Sequence, residues 1–165
     1  MSILTRKEIN LFSQKILEDY DANNPSIIFK DKLKISNSDA LKIQSTVTKL
    51  RKNRGEEVIG FKIGGVLKET QKKMGLAQPA WGNLWKNELY QNGAVLNKKD
   101  YSNPAMEAEF GIILNRNIDP KLATREYIFQ SIESIYPLIE IHNLIFHGEA
   151  PHGSELLANN AIHAG

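Results

Sequence analysis

Pro104-Ala105-Met106-Glu107-Ala108-Glu109-Phe110-Gly111-Ile112-Ile113-Leu114 is the stretch on which the fold turns. Read as a strand over Ala105 to Leu114, its period of two puts Glu107, Glu109 and Gly111 on one face. Ala108, Phe110, Ile112 and Leu114 take the other face, which is then expected to meet the core. Two carboxylates so close together repel each other unless a cation lies between them. A hard divalent ion such as Mg²⁺, which takes oxygen ligands, is a natural partner, and Gly111 is expected to leave room beside the pair. The same pattern fits a half-buried edge strand with both glutamates in water. The residues alone leave both readings open.

Working upstream, Val58-Ile59-Gly60-Phe61-Lys62-Ile63 reads as a short strand closed by Gly64-Gly65. Gly60, Lys62 and Gly64 share one face and Ile59, Phe61 and Ile63 the other. A lysine flanked by glycines stands in space that a ligand could fill. Burial or a nearby cation would lower its pKa toward acid/base work, whereas on an open edge it is simply solvated. The glycines do not make a P-loop, because the G-x-x-x-x-G-K-[ST] spacing is absent. Downstream, Leu138 to Ile141 starts another strand and carries Glu140 within an apolar run. A glutamate buried there is costly unless it is liganded, paired with a lysine or used as a helix cap. The histidines, His142, His147, His152 and His163, fall near the end of the sequence, and their spacing lacks the third nitrogen ligand a zinc site wants.

The remaining elements are mostly helical. Thr5 and Glu8 form a capping box ahead of Ile9, Phe12, Ile16, Leu17 and Tyr20, and Asp21 to Pro25 ends that helix. A second helix is expected over Ser38 to Asn53, with Ala40, Ile43, Val47 and Leu50 on one face and Gly55 past its end. Leu67 to Met74 reads as a short helix stopped by Gly75, and Gln78 to Gly82 as a loop. Glu88 to Leu96 reads as a hairpin turning at Asn92-Gly93. After a turn at Asn115 to Pro120, Thr124 to Tyr136 reads as a helix with Ile128, Ile132 and Ile135 inward, broken by Pro137. The pattern is α+β, without regular βαβ alternation. Residues 1–56 form an N-terminal helical part and residues 57–165 carry the strands, within a single domain. The sequence ends inside the apolar stretch Ala161-Ile162-His163-Ala164-Gly165, so the domain is expected to be incomplete at its C-terminus.

Composition narrows the function classes. The 165 residues are 41% hydrophobic and 24% charged, which excludes a disordered chain. A net charge of +2, without long runs of like charge, gives no footprint for nucleic acid. There is no cysteine, so thiolate metal sites and a cysteine nucleophile are excluded. No apolar run is long enough to span a bilayer and Met1 to Tyr20 lacks a signal-peptide core, so the expected location is the cytoplasm.

Taken in order, several segments resemble the 2-keto-4-pentenoate hydratase and 4-oxalocrotonate decarboxylase family of the fumarylacetoacetate hydrolase superfamily. They are Gly60-Phe61-Lys62-Ile63-Gly64, Gln71-Lys72-Lys73-Met74-Gly75 to Gln78-Pro79, and Trp81-Gly82 with Leu84. Glu107-Ala108-Glu109-Phe110, Ile139-Glu140-Ile141 and Leu157-Ala158-Asn159-Asn160-Ala161 follow. The resemblance implies a mixed β-sheet roll of the fumarylacetoacetate hydrolase C-terminal-domain type, preceded by helices, of which residues 57–165 are the first part. It implies that Glu107, Glu109 and Glu140 ligate Mg²⁺ or Mn²⁺, and that Lys62 is a catalytic proton donor or acceptor in the substrate pocket. The implied activity is that of a hydro-lyase of aromatic catabolism, acting on a small 2-oxoacid such as 2-hydroxypenta-2,4-dienoate through a metal-stabilised enolate. Decarboxylation and acylpyruvate-type C–C hydrolysis share that enolate and are the alternatives. A homo-oligomer, and association with a sister decarboxylase, are the partners it implies. A chain lacking the rest of the roll would be an impaired remnant or an assembly subunit. The sequence departs from the family at Ala80, where an acidic residue is common, and at Asn143-Leu144-Ile145, where Asp-Ser-Arg is common. Gly65 and Val66 replace a bulkier residue and a threonine.

Overall fold

The computed structural model describes residues 4–25, 35–145 and 153–165. Along the chain run α1 (Arg6–Asp21), α2 (Asn37–Asn53), β1 (Val58–Gly64), α3 (Lys68–Met74), β2 (Ala80–Trp85), β3 (Pro104–Leu114), α4 (Arg125–Gln130), β4 (Ile132–Asn143) and α5 (Ser154–Ala158). They fall in two compact units, one within Met1–Ala105 and Ile141–Gly165, the other Met106–Glu140. No helix among the described residues is long and apolar enough to cross a membrane.

In the larger unit the expected capping box is formed. Glu8 N donates to Thr5 Oγ1 at 3.3 Å and Thr5 N to the Glu8 carboxylate at 2.7 Å, satisfying two amides that the first turn of α1 leaves without helical partners. Ile9, Ser13 and Ile16 lie on its buried face. Ser13 donates its hydroxyl to the carbonyls of Ile9 (2.7 Å) and, across the helix pair, Ile43 (3.3 Å). The core gathers Ile9, Ile16, Ala40, Ile43, Leu157 and Ala158, among others. Ser36 caps α2 by accepting from Asp39 N, and Gly55 follows the helix at φ +94°, a conformation that glycine adopts without strain.

β1 and β2 pair antiparallel, with Lys62 opposite Gly82 and Phe61 opposite Asn83. Gly60, Lys62 and Gly64 form the half-buried face, while Ile59, Phe61 and Ile63 are exposed and Phe61 meets Trp81 edge-on at 6.0 Å. β2 corrects the loop expected at Gln78 to Gly82: Pro79 precedes the strand, and Gly82 lies within it for a steric reason given below. The hairpin expected over Glu88 to Leu96 is also absent. A turn closes there, with Ala94 N donating to Gln91 O and Gly93 at φ +84°, but its flanks form no strands. Glu88 is instead buried in an ion pair with Arg51.

In the smaller unit β3 pairs with β4, and α4 lies in their connection. The helix expected to Tyr136 stops at Gln130, where Ser131 folds its amide back onto Tyr127 and Ile128, and Ile132 to Tyr136 extend as strand. Pro137 does not break β4, because a two-stranded ribbon leaves one edge where no ladder N–H is needed. Phe110, Ile112 and Leu114 are 76%, 53% and 44% exposed, which corrects the expectation that their face meets the core. Among the described residues the ribbon has no second layer to cover it. Ile128 and Ile135 are exposed for the same reason. The room expected beside Gly111 is already taken, since a Cβ there would come within 2.8 Å of Tyr136 and Leu138 side-chain atoms.

Candidate functional site

Pairing β3 with β4 brings two of the predicted carboxylates together. Oxygens of Glu107 and Glu140 approach within 4.8 Å of each other, Glu107 exposed and Glu140 only 5% exposed. Two ionised carboxylates that near each other repel, and a cation between them relieves the repulsion. The donor set, hard oxygen from two strands of one ribbon, has the chemistry of a Mg²⁺ or Ca²⁺ site. Glu109 lies two residues further along the same face of β3, exposed and outside that pair. His142 lies two residues beyond Glu140 on the same face of β4 and is buried. The signal for it in the sequence is the period of two, which aligns it with Glu140. His147 and His152 lie outside the described residues.

Lys62 is held in the larger unit by three elements. The β1–β2 register fixes its backbone opposite Gly82. Its Nζ lies 3.0 Å from His142 Nε2 and 3.4 Å from the carbonyl oxygen of Ala161. At its base the His142 segment is tied down. Ile141 exchanges two backbone hydrogen bonds with the 164–165 segment, Ala164 N donating to Ile141 O at 2.9 Å and Ile141 N to Gly165 O at 2.6 Å. The half-buried amine is thus held against an imidazole nitrogen and a backbone carbonyl.

The structure also gives the sequence departures a physical content. Ala80 is buried in the core, where a carboxylate would be costly. The Asn143 side chain accepts from the backbone N–H groups of Ser102 (3.0 Å) and Asn103 (3.1 Å), bracing the chain just before β3. Val66 is exposed.

This architecture is that of a known class of enzyme fold. The chain matches 4-oxalocrotonate decarboxylase from Pseudomonas putida G7, complexed with magnesium and adipate, with a TM-score of 0.91 at 18% identity, over 99% of this chain and 63% of that one. The same decarboxylase complexed with calcium and acetate matches with a TM-score of 0.88. In sequence the chain resembles the hydratases expected from its motifs: it is 27% identical over 130 residues to 2-keto-4-pentenoate hydratase of Paraburkholderia xenovorans (strain LB400), covering 78% of this chain and 48% of the relative. It is 32% identical over 105 residues to 2-hydroxyhexa-2,4-dienoate hydratase of Comamonas testosteroni, covering 62% of this chain and 40% of that one. The chain thus spans about half the length, or less, of these curated relatives. No protein-family model matches it.

Proposed function

We propose that the chain carries the metal and proton-transfer centre of a divalent-cation-dependent hydratase acting on a small 2-oxoacid of the 2-hydroxypenta-2,4-dienoate type. The observation that carries this reading is the approach of the Glu107 and Glu140 carboxylates within 4.8 Å on one paired ribbon, beside hydratase relatives and metal-complexed fold neighbours. Glu107, Glu109 and Glu140 would hold Mg²⁺ or Mn²⁺. Bound there, the ion supplies Lewis acidity toward the carboxylate and 2-oxo oxygens of such an acid. Lys62 moves the proton at the carbon next to the 2-oxo group, and His142, in hydrogen-bond reach of Nζ, limits the directions the amine can take. An enolate at that carbon is common to hydration, decarboxylation and C–C cleavage, so proton exchange there is the step to assay first.

The test is exchange of the C3 protons of 2-oxopentanoate in D₂O, followed by proton NMR. With Mg²⁺ the C3 signal is expected to decay faster than the protein-free rate, and excess EDTA to return it to that rate. Exchange unaffected by EDTA, or none above background, would overturn the reading.

A further inference from the structure

Residues 160–162 adopt a conformation that side chains other than glycine rarely take. Asn160, Ala161 and Ile162 stand consecutively at φ +54°, +50° and +60°. Such backbone persists only where its surroundings hold it, and it concentrates at functional sites. The holding contacts here are explicit. The Asn160 side-chain amide docks on the backbone of one β2 residue, accepting from Asn83 N at 2.6 Å through Oδ1 and donating to Asn83 O at 2.9 Å through Nδ2. Asn83 is buried, and its own amide donates to Thr48 Oγ1 on α2 at 2.9 Å, which fixes the platform. The backbone of the turn lies so close to β2 that a Cβ on Gly82 would be 2.3 Å from the Asn160 carbonyl oxygen. Gly82 is the residue directly across from Lys62. The missing side chain on β2 therefore admits the turn at the rung where Lys62 stands, and the next carbonyl, that of Ala161, lies 3.4 Å from Lys62 Nζ.

We infer that Asn160 is a positioning residue for Lys62: its amide clamps the left-handed turn onto β2 and thereby sets the Ala161 carbonyl against the lysine amine. The carbonyl and His142 Nε2 are then two fixed points that confine Nζ. A clamp serving only to hold the turn would not need to reach the lysine; this one places an acceptor on it.

The inference rests on the reading of Lys62 as the proton-transfer group, and two measurements separate them. The first is the Lys62 εCH₂ signal in a ¹H–¹³C spectrum of lysine-labelled protein, assigned with Lys62→Gln. An immobilised lysine is expected to show two distinct ε protons with the fast transverse relaxation of an ordered group in the wild type. In Asn160→Gly, which tolerates the positive φ but lacks the amide, they should merge into one averaged signal. Asn160→Asp, which keeps one acceptor and loses the donor, should do the same in a less perturbed fold. A merged signal in the wild type, or an unchanged split pair in either folded variant, overturns the clamp. The second is the C3 exchange assay, in which Asn160→Gly is expected to lose about 10–100-fold with unchanged Mg²⁺ affinity, as misplacement of a catalytic group does. Absence of exchange in the wild type would count against the proposed function while leaving the lysine spectrum to decide the clamp.

Discussion

Lys62→Met is expected to slow Mg²⁺-dependent C3 exchange by about 10²–10⁴-fold, the range in which a positioned acid or base contributes. Methionine retains an unbranched stem of similar reach, so the half-buried slot on β1 stays filled while the amine in contact with His142 and Ala161 is lost. Divalent-ion affinity should be retained, because a lysine ammonium is not an oxygen ligand of a hard cation. That combination, lost exchange with retained metal, distinguishes a proton-transfer role from a packing role. An exchange rate equal to the wild type would remove Lys62 from the chemistry.

The second large effect is on stability and lies away from the ribbon. Arg51 is 4% exposed and stands between two rings, 4.0 Å from the centroid of Trp85 and 5.2 Å from that of Tyr20. It is ion-paired with Glu88 and donates to Glu56 at 2.7 Å, while Tyr20 donates its hydroxyl to Glu88 at 2.8 Å. Burial pushes the Tyr20 hydroxyl pKa upward, with the Glu88 carboxylate adding to it, so tyrosine remains the donor across the working range. Arg51→Met would leave Glu88 as a buried charge without its cation, at a cost of about 3–5 kcal/mol. For a chain of this size that corresponds to a fall in melting temperature on the order of 6–20 °C. Pairing the change with Glu88→Leu should restore much of the loss, because the orphaned charge goes with it. Acid behaviour follows from the same network. Burial pushes the Glu56 carboxyl up, but hydrogen bonds from Arg51 and Arg54 outweigh it and hold the group below its ordinary 4.5. Its contribution is therefore present above pH 4.5 and lost as pH falls through the lowered value. Urea unfolding of Arg51→Met should show a shallower acid decline than the wild type. Equal stability of the single variant and the wild type at pH 7 would contradict the account of this network.

The elements whose signals are local were legible in the sequence. The Thr5–Glu8 box, the end of α2 ahead of Gly55, the β1 strand and the Gly75 stop of α3 are each written in a few adjacent residues and are found as expected. The misreadings share a cause, which is that tertiary contact reassigns a residue type. Gly82 looked like a loop residue, yet it is a strand position emptied for the Asn160 turn. Pro137 looked like a break, yet it lies in a ribbon with an edge to spare. The isoleucines from 128 to 135 fit a helical spacing, but those from Ile132 onward pair with β3 instead. The inward face assigned to Phe110 assumed a second layer that the described residues do not supply. Of the three glutamates named from strand period and the family resemblance, Glu107 and Glu140 lie close together and Glu109 is outside that pair. His142 could have been aligned with Glu140 by the same period. The clamp at Asn160 could not, since it depends on three consecutive positive φ angles that no local sequence signal announces.

The central claim is that Glu107, Glu109 and Glu140 hold one divalent ion, and calorimetric titration of the chain with Mg²⁺ and Mn²⁺ tests it most directly. One ion per chain is expected in the wild type, with binding weakened at least tenfold in Glu140→Gln and abolished in Glu109→Ala. Affinity in those variants identical to the wild type, or no binding to the folded wild-type chain, would contradict it.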